Sequence, residues 1–508
     1  MNLGRDLCNE HEVRFAEVFA QQFRLARAGL DPLEGFRRHE AGPWHLDVGY
    51  GLPAFDFSFD EGNGKVVLLG IAVEENAKLL ASQDAFNDLA KLRDMDKVIE
   101  RLNACAGRFA FLIVHKEIQR FYLDPIGSLG AVYDPEQRAI ASTINFLLDR
   151  EIEANTIYPM TEEAIVGKGR FAFGHTPDKV VKRLVPNHYL DLSDFRFHRH
   201  WPHKDAIFDP NEEDKSKLLK LILSRLENVL GALSKWETGA ILPISGGLDS
   251  RLLLACAKPY LEDIDLFSHA ESFMSRRDTR IATKLADIVG KDQTIIDPKL
   301  DPKYQISNAE KLRSCDAASK ISMGTASIGA DVPKRLYEVL NGYPGGPLIL
   351  RGNGSDFLKA VLWRRTTKEY TQRLRHETSE GIRMMMLGKK EITQNPVLHV
   401  EYANWFRTPP GTSKSRVYDF MFAEQFLSHG LGNQLYSFTN NFYVCPFNDR
   451  LMLLASACLP PDQRRELVFN EAILNNRGPE LAGIKYTRKS VNARLALNRK
   501  EARQLIEF

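Results

Sequence analysis

Hydrophobic residues in the first part of the chain recur in short runs with a period near two, the spacing at which alternate side chains of an extended backbone share one face of a sheet. The clearest runs are Lys65–Val73 (KVVLLGIAV), Arg108–Val114 (RFAFLIV) and Gln119–Leu123 (QRFYL), separated by polar turns. They predict a β-rich half. One stretch departs from this period. In Gln83–Asn103, Leu92, Met95, Ile99 and Leu102 are spaced by three, four and three residues, which predicts a helical insertion and an α+β architecture.

Between His200 and Asp214 (HWPHKDAIFDPNEED) the pattern lapses. It resumes with a helix-start signal, Asp209 before Pro210 and acidic residues in the first turn. This places a boundary between a first domain, 1–205, and a second, 206–508. Leu218, Leu219, Ile222, Leu226, Val229, Leu230 and Leu233 then fall on one face of a long amphipathic helix. Beyond it, the strand-like runs Ala240–Ile244, Ile264–Phe267, Gln293–Ile296 and Leu348–Leu350 alternate with helical segments. That order predicts a parallel sheet covered on both faces, an α/β domain. From Leu358 onward the pattern is mostly helical, interrupted by a loop at Thr408–Ser413.

Composition narrows the function classes. The 508 residues carry 68 basic and 66 acidic side chains, a formal charge of +2, with no Lys/Arg tract of the kind that binds nucleic acid. A small-molecule or peptide substrate is expected instead. Six cysteines without a CxxC pair predict neither a disulfide framework nor a zinc site. The amino-terminal MNLGRDLCNEHEVRF lacks an apolar signal core, and no run of apolar residues is long enough to span a bilayer. A cytoplasmic protein without membrane contact is expected.

The chemistry concentrates in AILPISGGLDSRLLLACA, where an apolar strand ends at Ile244, a loop turns at Gly246 and Gly247, and a helix begins near Leu248. Glycines let backbone N–H groups approach an anion, and the helix start adds partial positive charge. Ser245 and Ser250 add hydroxyl donors. Asp249 would repel a bare phosphate but suits a magnesium ion that bridges phosphate oxygens. The strand–SGGLDS–helix unit resembles the pyrophosphate-gripping loop of ATP pyrophosphatases, and that resemblance implies cleavage of ATP to AMP and pyrophosphate.

Further matches in the same order make the chain resemble the asparagine synthetase superfamily. Leu350–Phe357 (LRGNGSDF) is similar to that family's second ATP-site motif, Leu102–Asp149 to its amidotransferase strands and DP-G turn, Arg183–Trp201 to its interdomain hairpin, and Cys445–Arg450 (CPFNDR) to its PF-D-R turn. The resemblance implies an amidotransferase-like sandwich of the Ntn type, followed by an α/β ATP-pyrophosphatase domain with a helical carboxy-terminal part. It implies ATP and Mg2+ as cofactors, with Asp249 and Asp356 holding the metal. ATP and pyrophosphate would be bound by Ile244, Ser245, Gly246, Gly247, Asp249, Ser250, His269, Arg351 and Gly352. Lys485, within GIKYTRKS beside Arg488 and Lys489, matches the lysine that stabilises the developing charge.

The chain also departs from the family. Glutamine-hydrolysing members expose a cysteine as residue 1 after methionine removal, whereas Asn2 stands there and Cys8 reads as a structural thiol. The first domain is thus expected to be inactive. β-Lactam synthetases and lasso-peptide cyclases share this loss, so the expected activity is an AMP-forming ligase that adenylates a carboxylate and forms an amide, with lactam or macrocycle closure one outcome. Asn353 occupies the position of a catalytic acid or tyrosine, and an amide is no useful base. A general base, if the reaction needs one, has to come from elsewhere; Glu401, Tyr402 and Glu424 are candidates, none of which the sequence singles out. Two other readings stand beside this one: amidation of a sugar or glycan carboxylate by free ammonia or an amine, and a catalytically impaired nucleotide-binding subunit. A homodimer or biosynthetic partner proteins would be compatible with each.

Overall fold

The computed structural model describes residues 2–27, 31–116, 118–158, 171–203, 212–324, 334–365, 381, 390–488, 491–492 and 505. Its first half contains the strands β1 (Phe23–Arg27), β2 (Phe36–Ala41), β3 (Trp44–Gly49), β4 (Ala54–Phe59), β5 (Gly64–Val73), β6 (Ala106–His115), β7 (Ile118–Leu123), β8 (Val132–Asp134), β9 (Ala139–Ala141), β10 (Lys182–Arg183), β11 (His188–Asp191) and β12 (Arg196–Arg199). They form two six-stranded sheets with orders β10-β8-β9-β1-β3-β2 and β12-β11-β7-β6-β5-β4. Every pairing recorded within them is antiparallel.

The period of two explains the layering. Val67, Leu69 and Ile71 of β5 and Ala110 and Leu112 of β6 meet Phe23, Leu25, Trp44 and Leu46 of the facing sheet. Val66, Leu68, Phe109, Phe111 and Ile113 point the other way, onto Phe86, Leu89, Met95, Val98 and Leu102. The second sheet is apolar on both faces because a helical layer covers its outside. The first sheet is covered in turn by Cys8, Val18, Phe19, Phe146, Ala317 and Ile321. The result is four layers, helix, sheet, sheet, helix.

The helical insertion is in two pieces rather than one. A 3-10 turn, Gln83–Phe86, and a short helix, Asn87–Ala90, precede the helix Met95–Asn103. Asp94 breaks the run because its carboxylate caps the amides of Asp96 and Lys97. Val98, not Ile99, therefore takes the central buried position.

In the second half, the helix Glu212–Ser234 buries Leu219, Ile222, Leu226, Val229, Leu230 and Leu233. The expected boundary at 205/206, with its Asp209-Pro210 signal, lies outside the described residues. β13 (Ala240–Pro243), β14 (Ile264–His269), β15 (Gln293–Ile296), β16 (Leu348–Leu350) and β17 (Tyr443–Val444) form a five-stranded sheet in the order β15-β14-β13-β16-β17. All of its pairings are parallel. The sequence pattern missed β17, a two-residue strand completed by the Ile349–Tyr443 and Leu350–Val444 register. The loop expected at Thr408–Ser413 runs into a 3-10 segment, Gly411–Arg416. Among the described residues, no helix is long and apolar enough to cross a membrane.

The halves are joined by buried polar contacts. Asn448 donates to Gly107 O at 2.5 Å, Asp124 Oδ1 at 2.7 Å and Ser128 Oγ at 3.0 Å, and it accepts from Ile126 N at 3.1 Å. Arg450 donates to Asn103 O and Leu123 O. Arg225 bridges Asp449 and the carbonyls of Val73, Glu74 and Ala104. The DP-G turn of the first half thus packs directly on the PFNDR turn of the second. Gly130 and Gly432 lie so close that a methyl group on Gly130 would sit 2.7 Å from Gly432 O.

Candidate functional site

β13 lies at the centre of the parallel sheet, with β14 and β15 on one side and β16 and β17 on the other. The chain therefore leaves the carboxyl ends of β13 and β16 in diverging directions. Open α/β sheets bind ligands in the crevice at such a switch point. Both sequence motifs lie there, Ser245–Ser250 after β13 and Arg351–Asp356 after β16.

Ile244 is buried under the first loop, with its amide on Phe267 O and its carbonyl accepting from Ser268 Oγ. Ser245 and Ser250 close the loop across its mouth. Their hydroxyls are 3.0 Å apart, Ser245 N donates to Ser250 Oγ at 3.2 Å, and Gly247 N donates to Ser245 Oγ at 3.2 Å. The helix Leu248–Ala257 begins at Gly247 without any side-chain cap. Its first amides and dipole consequently face the crevice, an arrangement that favours an anion.

The glycines are required by closeness rather than by a left-handed turn. Gly247 has φ −86° and ψ 173°, and Gly246 is not among the residues with positive φ. A methyl group on Gly246 would overlap Thr487 Oγ1, and one on Gly352 would sit 2.8 Å from Asp249 Cβ. Gly352 thereby lets the second loop lie against the first.

Asp249 and Asp356 come together, joined by a residue the sequence did not single out. Lys359 Nζ lies 2.7 Å from Asp249 Oδ1 and 2.7 Å from Asp356 Oδ1. Ser355 Oγ donates to Asp249 Oδ1 at 2.6 Å. Burial alone would lower the Lys359 ammonium, but the two carboxylates outweigh it and raise it above the ordinary lysine value. Among the described residues, no three His, Cys, Asp or Glu side chains gather as a metal cage. Two carboxylates and a hydroxyl are hard oxygen donors that suit magnesium shared with substrate phosphates, and they fit that ion in preference to one held by protein alone.

The carboxy-terminal segment reaches the same loop. Thr487 N donates to Gly246 O at 3.2 Å, and Thr487 Oγ1 donates to Asp278 Oδ1 on the helix Phe273–Val289. Arg251, fully buried one residue after the motif, donates to the carbonyls of Leu481, Ile484 and Lys485. Its guanidinium lies 3.7 Å over the Tyr486 ring. Lys485 is thus fixed by its backbone beside the loop with an exposed side chain. Lys489, its expected neighbour, lies outside the described residues.

The remaining candidates divide. His269 ends β14, with Nδ1 2.5 Å from Glu271 Oε2. Arg351 extends the ladder through its amide to Val444 O and stacks on Tyr443. Asn353 lies in the second loop, between Gly352 and the 3-10 segment Ser355–Lys359. Glu424 is unavailable as a base, since its buried carboxylate accepts from the two terminal nitrogens of the Arg199 guanidinium, Trp405 Nε1 and Asn187 Nδ2. Burial would raise it, but Arg199 holds it below the ordinary carboxylate range. Burial raises Glu401, countered by Lys182 of β10, and raises the Tyr402 phenol beyond any basic role near neutrality.

In the first half, Asn2 caps the helix Leu3–Glu10, accepting from Arg5 N at 3.1 Å and donating to Phe146 O. Cys8 is fully buried, and burial pushes its thiol up to about 12. Neither is presented as a nucleophile. No protein-family model and no curated protein matches the chain.

Proposed function

We propose that this protein is an ATP-dependent, AMP- and diphosphate-forming carbon–nitrogen ligase of the asparagine synthetase kind. The observation that carries the reading is the uncapped Ser245–Ser250 loop at the switch point, with Asp356 brought beside Asp249 from the neighbouring loop. In this reading the amides of the loop and the hydroxyls of Ser245 and Ser250 hold the pyrophosphate portion of ATP. Ile244, His269, Arg351 and Gly352 line the nucleotide at the ends of β13, β14 and β16. Magnesium, when bound by Asp249 and Asp356, supplies charge neutralisation for the leaving pyrophosphate.

A substrate carboxylate attacks the α-phosphorus, and the bond to the bridging oxygen breaks. An amine then attacks the acyl carbon and AMP leaves. Lys485, held by Arg251, places positive charge toward the developing oxyanion. The amine's proton goes to a base other than Asn353 or Glu424. The layered first half, 1–205, serves as an inactive amidotransferase-like scaffold, supported by Asn2 acting as a helix cap and by the inert Cys8 thiol. Without glutamine as nitrogen source, the amine belongs to the substrate or arrives free, which suits peptide or specialised-metabolite synthesis. Six free thiols favour the reducing cytoplasm.

Asn353 favours a second reading, a nucleotide-binding subunit without catalysis. Exchange of labelled pyrophosphate into ATP in the presence of candidate carboxylates separates the two. The ligase exchanges, whereas the silent subunit binds ATP without exchange.

A further inference from the structure

The ammonium of Lys359 stands between the two carboxylates assigned to the metal. Its nitrogen is 2.7 Å from an oxygen of each. Its side chain is only 12% exposed. Among the described residues it is the only cation within ion-pair reach of Asp249 or Asp356. The surrounding backbone holds it there. Lys359 ends the 3-10 segment Ser355–Lys359, and the next residue, Ala360, adopts a left-handed conformation at φ 46°. Arg464 donates to Phe357 O in the same turn.

Magnesium binds carboxylate oxygen at about 2.0–2.1 Å and sheds its waters reluctantly. An ion on the Oδ1 atoms of Asp249 and Asp356 would therefore fall within van der Waals contact of the Lys359 nitrogen, which is 2.7 Å from both. The two cannot share the place. A lone divalent ion would have to displace a largely buried ammonium that already donates a charge-assisted hydrogen bond to Asp249 and ion-pairs with Asp356. It would gain only two carboxylates and the Ser355 hydroxyl in return. A nucleotide changes that balance, because its phosphates give the metal further ligands and give the flexible lysine stem new acceptors.

We propose that Lys359 is a built-in counter-ion that excludes divalent metal from the Asp249–Asp356 pair until nucleotide arrives, and then transfers to the pyrophosphate. The exclusion stands on the ion-pair geometry, and the transfer rests on the ATP reading above. The loop at Ser245–Ser250 is thereby charged with metal and nucleotide together, so that metal alone does not order the site.

Mn2+ titration followed by electron paramagnetic resonance tests this on the full chain. Without nucleotide, the wild type should bind Mn2+ at least about tenfold more weakly than Lys359→Met, the equivalent of one charge-assisted hydrogen bond. Adding Asp356→Asn to Lys359→Met should remove the gain. Lys359→Gln provides the same comparison should the methionine variant not fold. Equal affinity in wild type and both lysine variants, or a gain that survives Asp356→Asn, overturns the proposal. With ATP present, the wild type should acquire a bound Mn2+ signal. Failure of that step alone, with the nucleotide-free series as predicted, refutes the ATP reading and the transfer but leaves the exclusion standing.

Discussion

Arg251→Met separates the positioning of Lys485 from the chemistry of the loop. Arg251 is fully buried and ties its helix to Leu481, Ile484 and Lys485 while covering the Tyr486 ring. Methionine keeps the aliphatic length and removes every donor. Hydrogen bonds from a charged group contribute about 1.5–3 kcal/mol each, and a desolvated cation–π contact about 2. Two opposing effects reduce that sum. The half-exposed carbonyls of Ile484 and Lys485 regain water, and the buried guanidinium, whose pKa burial lowers, no longer has to be desolvated. The net loss should be about 2–4 kcal/mol. Urea unfolding at unchanged m-value measures it. Amide formation should fall as it does in Lys485→Ala, and the double variant should be no slower than Lys485→Ala alone, because both remove one function. Stability within about 0.5 kcal/mol of wild type, the range of an ordinary surface change, or losses that multiply in the double variant, would refute the positioning role.

His175 and His188 are buried and their pKa values are pulled down to about 4 by desolvation. The unfolded chain protonates near pH 6.5, so it binds more protons between pH 6.5 and 4. Stability is therefore lost on acidification through that window, by about 3 kcal/mol per histidine, and His188→Gln should flatten urea midpoints measured across it. Asn448→Ala strands Gly107 O and weakens the cage around Asp124, which should cost about 2–4 kcal/mol. Asn448→Asp should cost more, since a second carboxylate would face Asp124, and denaturation curves read both. Gly246→Ala forces a methyl group into Thr487 Oγ1, so it should cost about 1–3 kcal/mol and weaken ATP binding in calorimetry. Unchanged binding would mean that the Thr487 contact is not part of the site.

The succession of strands and helices along the chain was legible where local pattern governs. The short apolar runs Lys65–Val73 and Arg108–Val114 fall in β5 and β6, and the apolar face of the helix after residue 212 is the buried one. The loop motif was legible because its strand, glycines and helix are contiguous. Contacts between distant segments were not. β17 is too short to carry a period and exists through its neighbour β16. Lys359, three residues beyond Asp356, reads as an ordinary cation until the fold brings it to Asp249, 110 positions away. Arg251 carries a local signal, a charge set directly before the apolar run LLLACA (252–257) on a buried helix. Asn448 lies in the PFNDR turn that the resemblance identified, but its four partners come from the other half of the chain. Nothing in the sequence singles out Glu424 from Glu401 and Tyr402 as a base, and its neutralisation by Arg199 is a tertiary fact.

The central claim is that Asp249, beside the Ser245–Ser250 loop, serves ATP cleavage at the α-phosphate. Pyrophosphate exchange into ATP, with magnesium and a panel of peptide and small-molecule carboxylates, tests it most directly. The wild type should exchange with at least one carboxylate, and Asp249→Asn, folded to the same urea midpoint within about 1 kcal/mol, should abolish the exchange. Exchange that persists in Asp249→Asn, or a wild type that exchanges with no carboxylate, would contradict the account.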